Sequence, residues 1–319
     1  MDEHLAPLGI KPFACDRLRH LLDRADSEWR SCAAKADADG VHDFRVALRR
    51  FGEAMRMFKD LMPKSGYKQV KAERKQVMRF AGAVRDVDIA RESFVYSDLT
   101  LAPDLDGFLA NERALAEAAL RAALAAGLES SFKIRWEETL RLRENGKQQV
   151  AGAMTPTDDS GFWQTAETAA ANSRRVLPDL LSDYCKEGQK LADDDVKPAR
   201  LHELRLRGKH LRYTLEVFRP VYGHRMDALL ASLKETQTAL GEISDCTATV
   251  RWLKNTKIIH RNEGKHLRGY LEHRALKSTA QFVDFWRDHW GLPAFRECWI
   301  RYLAVYAGRV PPKSQTPPI

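Results

Sequence analysis

The sequence predicts an all-α protein made of two antiparallel four-helix bundles related by internal duplication. Apolar residues recur at helical spacings along most of the 319 residues, and no segment has the β-branched alternation with hairpin turns that predicts strands. A basic helix at 41–58 is followed 160 residues later by a second at 201–218, with its charges in the same order. A repeat this long is no solenoid period, so it indicates duplication of a whole bundle, with two halves related by an approximate twofold axis.

Short connections that contain Pro or Gly separate the predicted helices. In chain order these helices span 13–35, 41–58, 65–94, 104–126, 129–151, 162–186, 201–218 and 224–254, with further helical segments to about residue 308. Pro178 is expected to kink or interrupt the helix at 162–186. A Pro, two Asp and a Gly at 154–161 predict a domain boundary. The expected organisation is a lead-in at 1–12, a first half at 13–155, a second half at 156–308 and a Pro-rich tail at 309–319.

Each repeated helix has an apolar side and a cationic side. At 100° per residue, basic residues spaced by three or four positions fall on one stripe, and Phe or Leu residues fall opposite. The stripes contain His42, Arg45, Arg49 and Arg56 in the first helix, and His202, Arg205, Lys209 and Arg212 in the second. Gly52 stands in the first stripe where the second has Arg212, so the first helix is locally less basic. Gly208 is tolerable inside the second helix if it permits close packing.

The helix after each basic helix carries a second repeated feature. Lys71, Lys75 and Arg79 gather toward one side of the helix at 65–94, and Arg85 and Asp86 follow near its end. Gly82 and Asp86 recur 159 residues later as Gly241 and Asp245, with Ser244 where Arg85 would be. Gly82 could allow close approach of another group to the backbone. Asp86 and Asp245 could orient a neighbouring arginine, or could cap helices and pair locally.

The positive charge of the chain is concentrated in one region. The net charge is +8 and the isoelectric point about 9.2, and residues 41–91 hold thirteen Lys or Arg against six Asp or Glu. A charged helix face is usually only a solvated surface, but a face repeated in register favours binding of a polyanion such as nucleic acid, an anionic membrane surface or a phosphate-rich ligand.

Several other classes of protein lack support in the sequence. The five cysteines are scattered without a CxxC pair, which predicts neither disulfides nor a zinc site and favours reduced thiols in a cytoplasm. No apolar run is long enough for a membrane span or a signal sequence. Neighbouring arginines make His42 and His202 poor metal ligands. Without a phosphate-cradling Gly-rich loop or a nucleophile motif, we expect no enzyme activity, no metal and no cofactor.

The HxxRxxxRR helix, the Arg-Asp motif of the next helix and the second copy HxxRxxxKxLRY resemble the CHAD domain, the conserved-histidine α-helical domain. The resemblance covers roughly residues 13–290. It implies two four-helix bundles with a basic groove or pore between them, which binds inorganic polyphosphate without hydrolysing it. Association with polyphosphate granules would follow. The alternating ExExK signature of the triphosphatase domain that is fused to some members is absent.

The resemblance also implies a set of phosphate-binding residues, to which we add Arg56 on the same stripe. The expected set is His42, Arg45, Arg49, Arg50, Arg56, Lys71, Lys75, Arg79, His202, Arg205, Lys209 and Arg212, with Arg85, Asp86 and Asp245 as orienting residues. A polyphosphate chain has no bases, so its receptor needs many Arg and Lys donors and no sequence-reading element.

Three alternatives remain open. A nucleic acid could bind the same cationic face, although we expect it only as a weaker, non-specific competitor. A phosphatase or triphosphatase of unfamiliar type is the second alternative, and a helical scaffold without polyanion binding is the third. The sequence leaves the oligomeric state, the preferred polymer length and the fate of the bound polymer open.

Overall fold

The computed structural model describes residues 4–96, 103–143, 162–193, 198–257 and 262–309. These residues form ten α-helices and no strand, apart from one isolated bridge between Gly9 and Thr168. The helices are α1 Ile10–Ala34, α2 Ala38–Met57, α3 Lys64–Tyr96, α4 Pro103–Glu129, α5 Phe132–Thr139, α6 Ala169–Asp193, α7 Pro198–Tyr222, α8 Met226–Asn255, α9 Asn262–Phe285 and α10 Pro293–Val305. A short 3₁₀ turn, Lys59–Leu61, follows α2, and a π-helical segment, Trp286–Trp290, follows α9. The predicted all-α class is confirmed.

Two prolines lie inside helices that the sequence predicts to be interrupted or ended there. Pro178 lies within α6, which continues to Asp193; buried Leu177 and Leu181 flank it and hold this stretch against the core. Similarly, α7 continues through Pro220 to Tyr222. Tyr222 Oη donates to the Leu303 carbonyl at 2.7 Å, and Tyr302 Oη donates to the Tyr222 carbonyl at 3.0 Å. Tertiary packing therefore outweighs the one backbone hydrogen bond that each proline removes.

The chain divides into two units, each made of separate segments. One unit contains Asp16–Glu144 and Asp245–Ala275, and the other contains Met1–Cys15, Asn145–Ser244 and Leu276–Ile319. The predicted division into halves at 13–155 and 156–308 stays a prediction. The predicted boundary at 154–161 lies outside the described residues.

The unit containing α2 and α3 has an aromatic core under its basic helix. The Trp29 ring stacks on Phe132 with centroids 3.9 Å apart, and Phe51 stacks on Trp136 at 5.7 Å. A second buried cluster joins α3 and α4 to the later segment of this unit, through Phe94, Leu105, Leu109, Cys246, Leu253, Leu267 and Leu271. This cluster explains why Asp245–Ala275 belongs with the earlier helices: its apolar residues are buried there.

In the other unit, α6 packs against both α7 and α10. Gly188 of α6 leaves room for the Trp286 ring, whose Cη2 would lie 2.0 Å from an added Cβ. Tyr184 packs edge-on to Trp286 and Trp290, at 5.5 and 5.8 Å between centroids. The basic helix α7 is thus held on a close-packed aromatic layer, which fixes the side of α7 that stays accessible.

Candidate functional site

The amphipathic character predicted for α2 is present in the structure. Phe44, Leu48 and Phe51 are fully buried, while His42 and Arg56 are exposed and Arg45, Arg49 and Arg50 are half-buried. Asp37 caps the helix by accepting from the Gly40 amide at 2.8 Å, which satisfies one of the free amides of the first turn. Burial of one side therefore sets which cations face outward.

Arg45 lies across the following helix, at Gly82. An added Cβ at Gly82 would be 3.1 Å from Arg45 Nη1, and the same nitrogen donates to the Met78 carbonyl at 3.4 Å. Burial lowers the pKa of the Arg45 guanidinium, as do the charges of Arg49 and Arg85, and Asp86 opposes them. The group that approaches the backbone at Gly82 is therefore the Arg45 side chain.

Asp86 and Arg85 have different surroundings. Desolvation raises the pKa of Asp86, and the charge of Arg45 opposes this shift. Asp86 therefore lies in the electrostatic field of Arg45, in keeping with an orienting role that stays a prediction. Arg85 instead donates to both carboxylate oxygens of Glu92, at 2.9 and 3.3 Å, so its guanidinium is already engaged.

The guanidinium of Arg49 on α2 is incompletely satisfied among the described residues. Its Nε is buried without a hydrogen-bond partner among the described residues, and its charge acts on Arg45. A buried donor without a partner costs roughly 1–3 kcal/mol. An external acceptor reaching Arg49 would relieve this cost if it brought oxygen atoms to the guanidinium.

The predicted cations of α3 are exposed to solvent. Lys71, Lys75 and Arg79 form no ion pair within the described part of the chain. Two of them lie beside aromatic rings: Lys71 Nζ is 5.6 Å from the Tyr67 centroid, and the Arg79 guanidinium is 5.3 Å from that of Phe80. The charge of this face is therefore available to a solvent-borne anion.

The structure adds a cation that sequence reasoning missed. Arg74 of α3 lies over Gly52 of α2, so closely that an added Cβ would be 2.3 Å from the Arg74 Cζ. Its Nη1 reaches toward the Leu48 carbonyl at 3.5 Å. The signal in the sequence is the absence of a side chain at Gly52, because such a gap in a charged stripe can admit a side chain from a neighbouring helix.

In the other unit, α7 repeats the arrangement of α2. Leu204, Leu211 and Leu215 are buried, His202 is exposed, and Arg205 and Lys209 are half-buried. The Arg205 guanidinium lies near Gly241 of α8, 3.9 Å from where a Cβ would be. Each unit therefore has an arginine of its basic helix against a glycine of the following helix.

Arg212 is held by internal partners. Its Nε donates to Gln237 Oε1 and its Nη1 to Glu216 Oε1, both at 2.8 Å, and its side chain is only 16% exposed. Gln237 Nε2 in turn donates to the Gly208 carbonyl at 2.7 Å. An added Cβ at Gly208 would be 3.0 Å from the Tyr184 ring, so this glycine does permit close packing. Arg212 would have to share its charge between Glu216 and any ligand.

The remaining predicted residues are placed as follows. Arg56 donates to Glu53 Oε2 at 3.0 Å, so it too has an internal partner. Asp245 is exposed on α8, and Ser244 Oγ donates to the Leu240 carbonyl at 3.0 Å. The α2 and α3 residues belong to one unit and the α7 residues to the other, and the groove between the halves stays a prediction.

No group of three or more His, Cys, Asp or Glu side chains could hold a metal ion within the ranges that the structure describes. No helix in those ranges combines the length and the apolar character needed to cross a bilayer.

Comparison with known proteins identifies the family. The sequence model of the CHAD domain matches residues 14–254, so the chain belongs to the CHAD family. Its structure is similar to the CHAD domain from the plant Ricinus communis, with a TM-score of 0.64 and 22% identity over 88% of this chain and 91% of that chain. It is also similar to PptA from Streptomyces chartreusis, with a TM-score of 0.57 and 14% identity over 88% and 99% of the two chains. At these identities the likeness establishes the shared all-α fold. No curated protein matches the chain.

Proposed function

We propose that the chain binds inorganic polyphosphate, without hydrolysing it, through the cationic faces of α2, α3 and α7. The observation that carries the proposal is that several cations on the face of α2 and α3 lack an ion pair within the described part of the chain. Lys71, Lys75 and Arg79 have no ion pair in the described part of the chain, and Arg49 keeps a buried donor without a partner there. Like charges held together in this way favour a multivalent anion.

Polyphosphate suits this face for a chemical reason. Its charges are closely spaced along a flexible chain, and each phosphate offers oxygens that an arginine can bind through two donors and a lysine through one. Membership of the CHAD family supports the same ligand class. Association with polyphosphate granules would be a consequence of such binding.

Nucleic acid is the second candidate ligand. The rings of Tyr67 and Phe80 lie beside the α3 cations, and an aromatic ring next to a cation is a feature of surfaces that bind single strands. These two contacts favour nucleic acid as a competitor at α3.

A competition experiment distinguishes the two ligands. Long-chain polyphosphate is titrated into the protein, and single-stranded RNA and DNA of matched charge are then added as competitors. We expect polyphosphate to be retained more tightly at every salt concentration and its affinity to fall linearly on a double logarithmic plot against salt. Stronger retention of either nucleic acid would overturn the choice of polyphosphate.

Charge reversal tests whether the two arginine–glycine contacts belong to the site. The variant Arg45→Glu with Arg205→Glu should lose at least about tenfold in polyphosphate affinity, about 1.4 kcal/mol. The matched control is Arg30→Glu with Arg268→Glu, two arginines in surface pairs with Asp26 and Glu272 that give the same change in net charge. Polyanion binding that is unchanged by Arg45→Glu with Arg205→Glu would favour the scaffold alternative.

Phosphate release tests the non-catalytic part of the proposal. Polyphosphate and inorganic tripolyphosphate are incubated with the protein and Mg²⁺ or Mn²⁺, and free phosphate is measured over time. We expect no release above the buffer control. Release that disappears in the Arg45→Glu, Arg205→Glu variant would instead identify a phosphatase or triphosphatase.

A further inference from the structure

In each unit an arginine side chain bridges the basic helix and the following helix. It comes from the following helix in one unit and from the basic helix in the other. In the unit of α2, Arg74 projects from α3 onto Gly52 and reaches the Leu48 carbonyl at 3.5 Å. In the unit of α7, Arg212 projects from the basic helix itself and donates to Gln237 of α8 at 2.8 Å. The two arginines thus cover comparable junctions between adjacent helices.

The sequence spacings relate these two arrangements. Gly52 and Arg212 are 160 residues apart, as are Arg45 and Arg205, and Arg74 and Leu233 are 159 apart, as are Gly82 and Gly241. At these corresponding positions the first copy has Gly52 and Arg74, and the second has Arg212 and Leu233. Leu233 is fully buried, so the second copy has an apolar side chain at the position from which Arg74 extends.

We infer that the arginine missing from the α2 stripe has been relocated to position 74, and that Arg74 is a binding residue of the cationic face. Resting on the proposed function, the inference extends it by assigning a phosphate contact to this residue. It also explains Gly52: the guanidinium occupies the space that any larger residue there would fill. The stripe of α2 is therefore continuous, with its gap closed from α3.

The surroundings of Arg74 leave it able to bind an external anion. Its Nε is buried without a partner among the described residues, and its one hydrogen bond there, to Leu48, is long. Burial lowers its pKa, while the charge of Glu53 opposes this, and Glu53 is shared with Arg56. Arg212, by contrast, has both an acid and an amide as close partners. Of the two arginines, Arg74 is the better phosphate ligand.

A set of four variants tests the relocation: Arg74→Gln, Arg74→Leu, the exchange Gly52→Arg with Arg74→Leu, and the control Arg30→Gln. Arg30 is an exposed cation paired with Asp26, so its loss changes the net charge equally. Long-chain polyphosphate binding is measured from about 50 to about 200 mM salt. Circular dichroism and thermal melting report folding, and Arg74→Gln replaces Arg74→Leu if the leucine variant does not fold.

The expected results separate charge at this position from charge in general. Arg74→Gln and Arg74→Leu should each bind about 3- to 10-fold more weakly, with the salt slope reduced by about one. Arg30→Gln should stay within about twofold of the parent, since it lies outside the site. The exchange variant should recover binding to within about twofold of the parent.

Two outcomes would overturn the inference while the proposed function stands. In the first, the parent binds polyphosphate and Arg74→Gln behaves like Arg30→Gln. In the second, the exchange variant binds no better than Arg74→Leu. If the parent protein itself retains no polyphosphate, the proposed function fails, and the assignment of Arg74 fails with it.

Discussion

At the scale of single residues, glycines in the basic helices and in neighbouring helices leave space that side chains from adjacent helices occupy. Gly52 receives Arg74, Gly82 receives Arg45, and Gly208 receives Tyr184. All three lie within helices, where glycine costs about 1 kcal/mol relative to alanine. That cost is offset where the missing Cβ lets a charged or aromatic group lie on the helix backbone.

Alanine substitutions at Gly82 and Gly241 test whether these glycines are needed for the close approach of an arginine. Alanine at 241 should stabilise the fold by up to about 1 kcal/mol, since its Cβ would be 3.9 Å from Arg205. Alanine at 82 should gain less and weaken polyphosphate binding, because its Cβ would be 3.1 Å from Arg45 Nη1 and displace the guanidinium. Chemical denaturation and polyphosphate titration of the two variants check this. Identical behaviour of the two would contradict it.

At the scale of elements, α4 illustrates how packing overrides local preference. Gly127 faces the Trp29 ring, with Cζ2 only 2.2 Å from an added Cβ. Trp29 is buried, stacks on Phe132 at 3.9 Å and donates to the Leu124 carbonyl at 2.9 Å, so its ring has little freedom to move. Gly107 on the same helix has nothing within 4 Å.

Alanine substitutions on α4 should therefore have opposite signs. Gly127→Ala should destabilise the protein by about 1–3 kcal/mol, because the methyl group overlaps a fixed aromatic ring. Gly107→Ala should stabilise it by up to about 1 kcal/mol through helix propensity alone. Urea denaturation followed by circular dichroism measures both. A stabilising Gly127→Ala would mean that the Trp29 ring can reorient.

At the scale of the whole molecule, buried thiols and phenols link folding to pH. Desolvation raises the pKa of Cys32 to about 11 and that of Cys185 to about 12. It also raises the pKa of Tyr302 to about 12, and those of Tyr184 and Tyr222 in the same direction. In each case the neutral form favours the folded state, so the folded chain holds protons that the unfolded chain releases at lower pH.

Stability should therefore fall on the alkaline side. The stabilisation that the neutral Cys32 thiol gives to the folded state is complete below about pH 8.5, the ordinary range of a thiol pKa. It is lost as the pH rises toward 11. One such group contributes a slope of about 1.4 kcal/mol per pH unit over that range. Denaturation of the parent, Cys32→Ala and Cys298→Ala at several values from pH 8 to 11 checks this. Cys32→Ala should show the shallowest decline of the three. Parallel curves for all three would refute the assignment.

The sequence by itself determined the helical class, the order of the helices and the identity of the basic stripes. Apolar spacing reports local periodicity, and in α2 and α7 this periodicity agrees with which side is buried. The sequence also shows the repeat of His42, Arg45 and Gly82 as His202, Arg205 and Gly241, because this repeat depends only on residue order.

Only the tertiary structure decided which cations are engaged and which stay available. The sequence predicts Arg212 as a residue of the basic stripe and Arg85 as a motif residue, but each donates hydrogen bonds to a glutamate. Arg74 carried no distinguishing spacing, yet it fills the gap at Gly52. The physical reason is that a long charged side chain can extend toward its own helix or toward a neighbour, and its choice is fixed by packing between helices, which one-dimensional spacing does not encode.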